Sequence, residues 1–149
     1  MDVDGTLTDG AFYIDDDGRE SKRFDVRDGL GLVMLRDAGV ELAIISGRAS
    51  GATDARARGL GIERVVNGCK DKLPILKGMA GEMGLTRDEV AYMGDDLPDL
   101  ECIRWAGLGM AVADAEPSVI EAASWVARRD GGRGAVRDAA EHILCLNSR

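Results

Sequence analysis

The sequence predicts an α/β fold: a doubly wound, mostly parallel sheet with helices on both faces. Three observations carry this expectation. Apolar runs of strand length alternate with stretches of helical periodicity. No internal repeat, linker or low-complexity tract interrupts the alternation. Polar residues follow directly on the apolar runs, and open α/β sheets bind ligands in the crevice beyond the carboxyl ends of their strands.

The opening "MDVDGTLTDG" reads as a strand end and the loop after it, with only Met1 left to be that strand. The first central strand is therefore expected to be truncated. Either a longer form begins upstream, or the neighbouring strands close on each other, or a partner chain fills the gap, because buried backbone groups without partners are costly. Next, "AFYI" and "ESKRFDV" flank "DDDG" and read as a β-hairpin insertion over about 11–26, its acidic tip a solvated turn rather than a metal site.

"RDGLGLVMLRDAG" is a helix, with Leu30, Val33 and Met34 at helical spacing and Gly39 as its stop, and "VELAII" is a buried strand. The pairs "SGATDARARGLG" and "ERVVNG", "KLPILKGMAGEMG" and "EVAYMG", "LPDLECIRWAG" and "LGMAVAD", and "PSVIEAASW" and "WVA" repeat helix then strand. Val136, Ala139, Ala140, Ile143 and Leu144 form the inner stripe of a closing helix.

A chain of 149 residues is one domain, 1–149, with no room for a second, lid-like one. The net charge of -8 argues against a sequence-independent grip on nucleic acid or an anionic membrane. No apolar run approaches a membrane span and no basic-then-apolar leader precedes the first motif, so a cytoplasmic location is expected. Cys69, Cys102 and Cys145 are odd in number and far apart, which gives neither a disulfide framework nor a zinc site. With His142 the only histidine, chemistry falls to carboxylates, hydroxyls and lysine.

The strand ends carry those groups in order. Asp2 and Asp4 follow the first, and a turn begun by Gly5 swings the second carboxylate toward the target of the first. Ser46, Gly47 and Arg48 follow the second: a hydroxyl, a flexible amide and a guanidinium at an expected helix start, a combination suited to an anion. Lys72 follows the third, and Asp95, Asp96 and Asp99 the fourth. Each is ordinary alone, as a turn, a cap or a solvated charge. Together at consecutive strand ends they read as a site. Asp2 and Asp95 repel unless a hard cation such as Mg²⁺ lies between them, and with Ser46 and Lys72 as donors the remaining space fits a phosphoryl group. No GxxxxGK[ST] loop is present, which weakens an ATPase or kinase reading.

"DVDGT", "SGR", the lysine of "DKLP" and "GDDLPD" resemble, in order and spacing, the motifs of the haloacid dehalogenase-like (HAD) phosphohydrolases. With "FDVRDGLG", "AVADAEP" and "GGRGAVR", nearly the whole chain resembles the 3-deoxy-D-manno-octulosonate 8-phosphate (KDO 8-phosphate) phosphatases of lipopolysaccharide precursor synthesis. The resemblance implies a capless HAD-like fold and hydrolysis through an aspartyl-phosphate. Asp2 would be the nucleophile and Asp4 the general acid and base. Mg²⁺ would be held by Asp2, Asp95 and the carbonyl of Asp4, with Asp96 and Asp99 behind, orienting metal waters or Lys72. Ser46 and Lys72 would meet the phosphoryl oxygens. Asp25, Val26, Arg27, Asp28 and Gly29 would line the sugar pocket beside Gly47, with Arg48 and Arg56, two turns apart on one expected helix, available to a sugar-acid carboxylate. Asp25 departs from the Asn common in the family, and its charge weakens binding of an anion unless Arg27 offsets it. "GGRGAVR" would be a mobile lid. The resemblance also implies a small-molecule sugar phosphate as the partner, no nucleic acid or membrane, and a homotetramer whose subunits help enclose one another's sites.

Three other readings share these motifs in whole or part. One is a phosphatase for a nine-carbon sugar acid phosphate, and a second is a phosphatase-like domain detached from a cytidylyltransferase. The third is a non-catalytic Mg²⁺- or phosphate-sensing module, against which stands Asp4, an acid a stable phospho-sensor would not want beside its phosphorylated aspartate.

Overall fold

A computed structural model describes residues 1–148. A hairpin comes first, β1 (Phe12–Ile14) antiparallel to β2 (Glu20–Lys22), with Asp15 accepting hydrogen bonds from the Asp17 and Arg19 amides at its tip. The acidic tip is a self-capped, exposed turn, as the sequence predicts. Then α1 (Val26–Asp37), β3 (Ala43–Ser46), α2 (Gly51–Leu60), β4 (Arg64–Asn67), α3 (Lys72–Glu82), β5 (Ala91–Gly94), α4 (Leu100–Trp105), β6 (Leu108–Ala111), α5 (Pro117–Ala122), β7 (Trp125–Val126) and α6 (Ala135–Asn147) alternate along the chain.

All the pairings outside the hairpin are parallel: β3 with β4, β5 with β6, and β6 with β7. The chain is thus an α/β fold of the doubly wound class. Between β3 and β5 the sheet is interrupted. The two halves do not close on each other; they are joined by the first two residues alone, with the Ile45 amide donating to the Met1 carbonyl and the Asp2 amide to the Met93 carbonyl, both at 3.0 Å.

The apolar strands supply the centre of the core. Ile44, Ile45, Tyr92, Met93, Met110 and Ala111 are buried there, each large side chain contributing about 1.5–3 kcal/mol by leaving water. On α6 the expected stripe is met: Val136, Ala139 and Ala140 are buried, with Ile143 and Leu144 packed at its margin. On α1 the inner face is turned relative to the expectation. Leu32 and Leu35 are buried while Leu30 is exposed, because Gly31 lets α6 come so close that a Cβ there would lie 3.0 Å from the Arg137 Cα. Among the described residues no helix is long and apolar enough to cross a membrane. Of the cysteines only Cys102 is buried, and all three are unpaired. His142 stacks on Trp125 at 4.8 Å between ring centroids.

Candidate active site

The first loop is wound by its own backbone. The amides of Thr6, Leu7 and Thr8 all donate to the Val3 carbonyl, and the buried Thr8 hydroxyl accepts from the Gly5 and Gly10 amides. Gly5 sits at φ 101°, and a Cβ there would collide with the Asp95 carboxylate, so only glycine lets the fourth strand end meet the first. Thr6 Oγ1 then donates to Asp95 Oδ1 at 2.8 Å.

Three strand ends converge on a buried ion cluster. Lys72, the first residue of α3, donates to Asp2 Oδ1 at 2.5 Å and to Asp99 Oδ1 at 2.8 Å. Asp99 also accepts from the Tyr92 hydroxyl at 2.8 Å and, through Oδ2, from the Asp95 and Asp96 amides. Carboxylate oxygens of Asp2, Asp95 and Asp99 lie within 4.8 Å of one another. Four donors already occupy Asp99, so its work is to fix Lys72, and the acids left with unfilled lone pairs are Asp2 and Asp95. Asp96 does not join them; its carboxylate accepts from the Leu97 amide at 2.6 Å.

The charge balance explains the electrostatics. Three carboxylates crowd together while only Asp2 and Asp99 touch the Lys72 ammonium. Burial, and then the negative charge of Asp99, raise Asp2 above the ordinary carboxylate range. Burial followed by the Asp2 charge pushes Asp95 up to about 8. For Lys72, burial works to lower the value, but Asp2 and Asp99 outweigh it and hold it above the ordinary lysine range. A divalent cation between Asp2 and Asp95 would restore both as carboxylates, and two hard oxygen donors of this kind suit Mg²⁺.

Asp4 stands to one side, salt-bridged at 2.5 Å to Lys22 of the hairpin. The Lys22 side chain is fully buried, also reaching Thr53 and Glu20. Sequence reasoning missed it, because a lysine in a short polar strand carries no signal of burial. Ser46 is buried at the end of β3, its hydroxyl donating to the Arg48 carbonyl at 3.0 Å, and Gly47 brings the backbone beside Lys72.

The expected pocket residues divide. Asp25 caps α1 and holds Arg27 through both Nε and Nη2, and these hydrogen bonds keep its carboxyl down at about 2, so Arg27 does offset its charge. Val26 is exposed and Gly29 buried. Asp28 faces inward, accepting from the Gly134 and Arg137 amides at 3.2 and 3.0 Å, where it ties α1 to the start of α6. Arg48 and Arg56 do not share a helix: Ser50 caps α2, which leaves Arg48 in the preceding loop. There Arg48 pairs with Glu20 at 2.6 Å and lies 3.9 Å over the Phe12 ring, whereas Arg56 keeps a buried Nε with no hydrogen-bond partner among the described residues. The "GGRG" loop is not a free lid. Gly131 lies against the Gly5 carbonyl with no room for a Cβ, the Gly132 amide donates to the Thr6 carbonyl, and Arg23 holds the Gly132 carbonyl at 2.8 Å.

Comparison with known proteins reaches the same fold. Residues 57–137 match the haloacid dehalogenase-like hydrolase family. The whole chain is 40% identical to the 3-deoxy-D-manno-octulosonate 8-phosphate phosphatase KdsC of Escherichia coli (strain K12), spanning 79% of that protein. A Moraxella catarrhalis phosphatase of the same name, solved in complex with magnesium, phosphate and KDO, superposes with a TM-score of 0.95 at 43% identity, over 97% of this chain and 83% of that one. A cobalt-bound phosphatase from Haemophilus influenzae gives a TM-score of 0.94 at 39% identity, over 99% of this chain and 86% of that one.

Proposed function

The chain belongs to the KDO 8-phosphate phosphatases, which are haloacid dehalogenase-like hydrolases, and on that premise we propose that it removes phosphate from KDO 8-phosphate through an aspartyl-phosphate on Asp2. It is a phosphoric monoester hydrolase with Mg²⁺ as its cofactor. The observation that carries the mechanism is the buried cluster in which Asp2 and Asp99 share Lys72 and Asp95 lies beside them.

In the first half-reaction an Asp2 oxygen forms a bond to phosphorus as the bond to the sugar oxygen breaks, and Asp4 delivers its proton to that oxygen. In the second, Asp4 takes a proton from water as the water attacks phosphorus, and the bond to Asp2 breaks to release phosphate. Ser46 and Lys72 offset charge on the equatorial oxygens, the main demand of phosphoryl transfer. Asp2, Asp95 and the Asp4 carbonyl would hold Mg²⁺, which when bound neutralises phosphoryl charge. Lys22 orients Asp4 from the hairpin. Of the guanidinium groups, Arg56 is the one proposed for the sugar-acid carboxylate, since its Nε has a bond to give. The remaining pocket assignments are Asp25, Val26, Arg27, Gly29, Gly47 and Arg48, with Asp28 acting through the backbone of α6. The cytoplasm is the proposed compartment, in keeping with three unpaired cysteines.

EDTA is expected to abolish phosphate release from KDO 8-phosphate and added Mg²⁺ to restore it. Release that survives thorough metal removal would contradict the Asp2–Asp95 metal site. A homotetramer is also proposed, because Tyr13 and Ile14 of β1 and Val26 and Leu30 of α1 are exposed apolar side chains. Light scattering during size exclusion should give four chains per particle; a monomer at micromolar concentration would refute this.

A further inference from the structure

The strand β2 is three residues long, and its outer side chains, Glu20 and Lys22, share one face while Ser21 is exposed on the other. The Lys22 side chain is fully buried, although neither strand of the hairpin adds an apolar side chain to the core. Taking an ammonium out of water is costly, and an apolar side chain in place of a buried ion pair is often at least as stable. Stability therefore does not account for a lysine here. What the ammonium holds is Asp4. Its Nζ donates to Asp4 Oδ1 at 2.5 Å and to the buried Thr53 Oγ1, in the first turn of α2, at 3.4 Å. Glu20 lies 3.7 Å from the same Nζ and is itself fixed, accepting from Ser50 Oγ and from Arg48 Nη2, both at 2.6 Å. Among the described residues no hydrogen bond reaches Asp4 Oδ2, and the Asp4 side chain stays 25% exposed.

We propose that Lys22 is a positioning residue for departure of the leaving group: it occupies Oδ1 of Asp4 and so turns Oδ2 to the sugar oxygen, without touching the substrate itself. Glu20 and Thr53 hold Lys22 in turn, so the hairpin and the start of α2 together set the direction of the acid. The inference rests on the phosphatase reading and adds to it a division between two buried lysines, Lys72 on Asp2 and Lys22 on Asp4. In the step concerned, Asp2 bonds to phosphorus, the bond from phosphorus to the sugar oxygen breaks, and the proton on Asp4 Oδ2 passes to that oxygen. A carboxyl free to turn spends part of its time with neither oxygen in place, and misplacing a reacting group by about 1 Å costs about a hundredfold. An alkoxide needs that proton in order to leave, whereas p-nitrophenolate, a weak base, does not. A lysine that only kept the hairpin in place would affect both kinds of ester alike.

The test compares Lys22→Met with the unsubstituted chain by kcat/KM, which covers the reaction only as far as departure of the leaving group, on KDO 8-phosphate and on p-nitrophenyl phosphate with Mg²⁺. The variant is expected to lose about a hundredfold on the sugar phosphate and less than about threefold on the aryl phosphate. Equal losses on both esters would make Lys22 a general support of the site, and no loss on either would make it a bystander; each overturns the proposal. An unsubstituted chain inactive on both esters would overturn the phosphatase reading and the proposal with it, so the two failures are distinct. A thermal cycle of Lys22→Met, Asp4→Asn and the double variant reads the contact without substrate. Asp4→Asn leaves the buried ammonium without its close carboxylate, so Lys22→Met should shift the melting temperature at least about 3 °C more favourably in that background than in the unsubstituted chain. Equal shifts in the two backgrounds would show that the pair is not formed and would overturn the proposal. Should Lys22→Met not fold, Lys22→Gln is read by the same ratio of losses with the same outcomes.

Discussion

Asp2→Asn is expected to lower kcat by at least about a thousandfold while leaving the fold intact. In a double-displacement mechanism the nucleophile is the group with no substitute, and its removal typically costs several orders of magnitude. The amide keeps the shape of the carboxylate and can still accept from Lys72 at the position held by Oδ1. The fold itself disfavours charge at Asp2, through burial and then Asp99. Its loss should therefore leave the melting temperature unchanged or higher. Circular dichroism and thermal melting check the fold, and saturating phosphate-release assays check kcat. Wild-type turnover in this variant would remove Asp2 from the mechanism.

Lys72→Met should damage stability and catalysis together. Methionine preserves the apolar stem but leaves Asp2 and Asp99 facing each other without their cation. Breaking a buried ion pair by removing one partner costs about 3–5 kcal/mol, since the other charge is left uncompensated. Loss of a charged donor to the phosphoryl oxygens adds a fall of about 10²–10³ in kcat. Saturating Mg²⁺ should recover part of the stability, because a cation between Asp2 and Asp95 offsets the same charge, but not the lost donor. The melting temperature with and without Mg²⁺, together with kcat at saturating metal, separates the two effects. Neither quantity changing would show that Lys72 is a bystander.

Much of this architecture is legible in the sequence. The alternation of apolar runs and helical periodicity defines the elements, and the polar residues directly after the runs are those the sheet gathers: Asp2, Ser46, Lys72 and Asp95. Their proximity depends only on strand order, which a parallel fold constrains strongly. What escapes is what depends on side-chain direction. Lys22 is buried by the way the hairpin leans on Asp4 and Thr53, and nothing in "ESKRFDV" encodes that lean. Asp28 looks like a pocket residue by position, yet the start of α6 takes both its oxygens. Arg48 leaves the helix of Arg56 because Ser50, one of several small residues in that stretch, is the cap. The "GGRG" loop has the composition of a hinge, and Gly131 and Gly132 serve instead as close-contact points against the loop after Asp2.

The interrupted sheet changes how the opening motif is understood. Met1 is bonded to β3 and Asp2 to β5, and Asp2 is held further by Lys72 and by the loop closed on the Val3 carbonyl. The proposed nucleophile is therefore fixed by contacts from several elements.

The central claim is that Asp2 carries the phosphoryl group transiently. Acid quenching during steady-state turnover of KDO 8-phosphate with Mg²⁺, followed by peptide mass analysis, reads this directly. The account predicts a phosphoryl group on the peptide containing Asp2, present during turnover, gone once substrate is exhausted, and absent in Asp2→Asn. Phosphate release with the phosphoryl group on another residue, or lasting phosphorylation of Asp2 with no phosphate released, would contradict it.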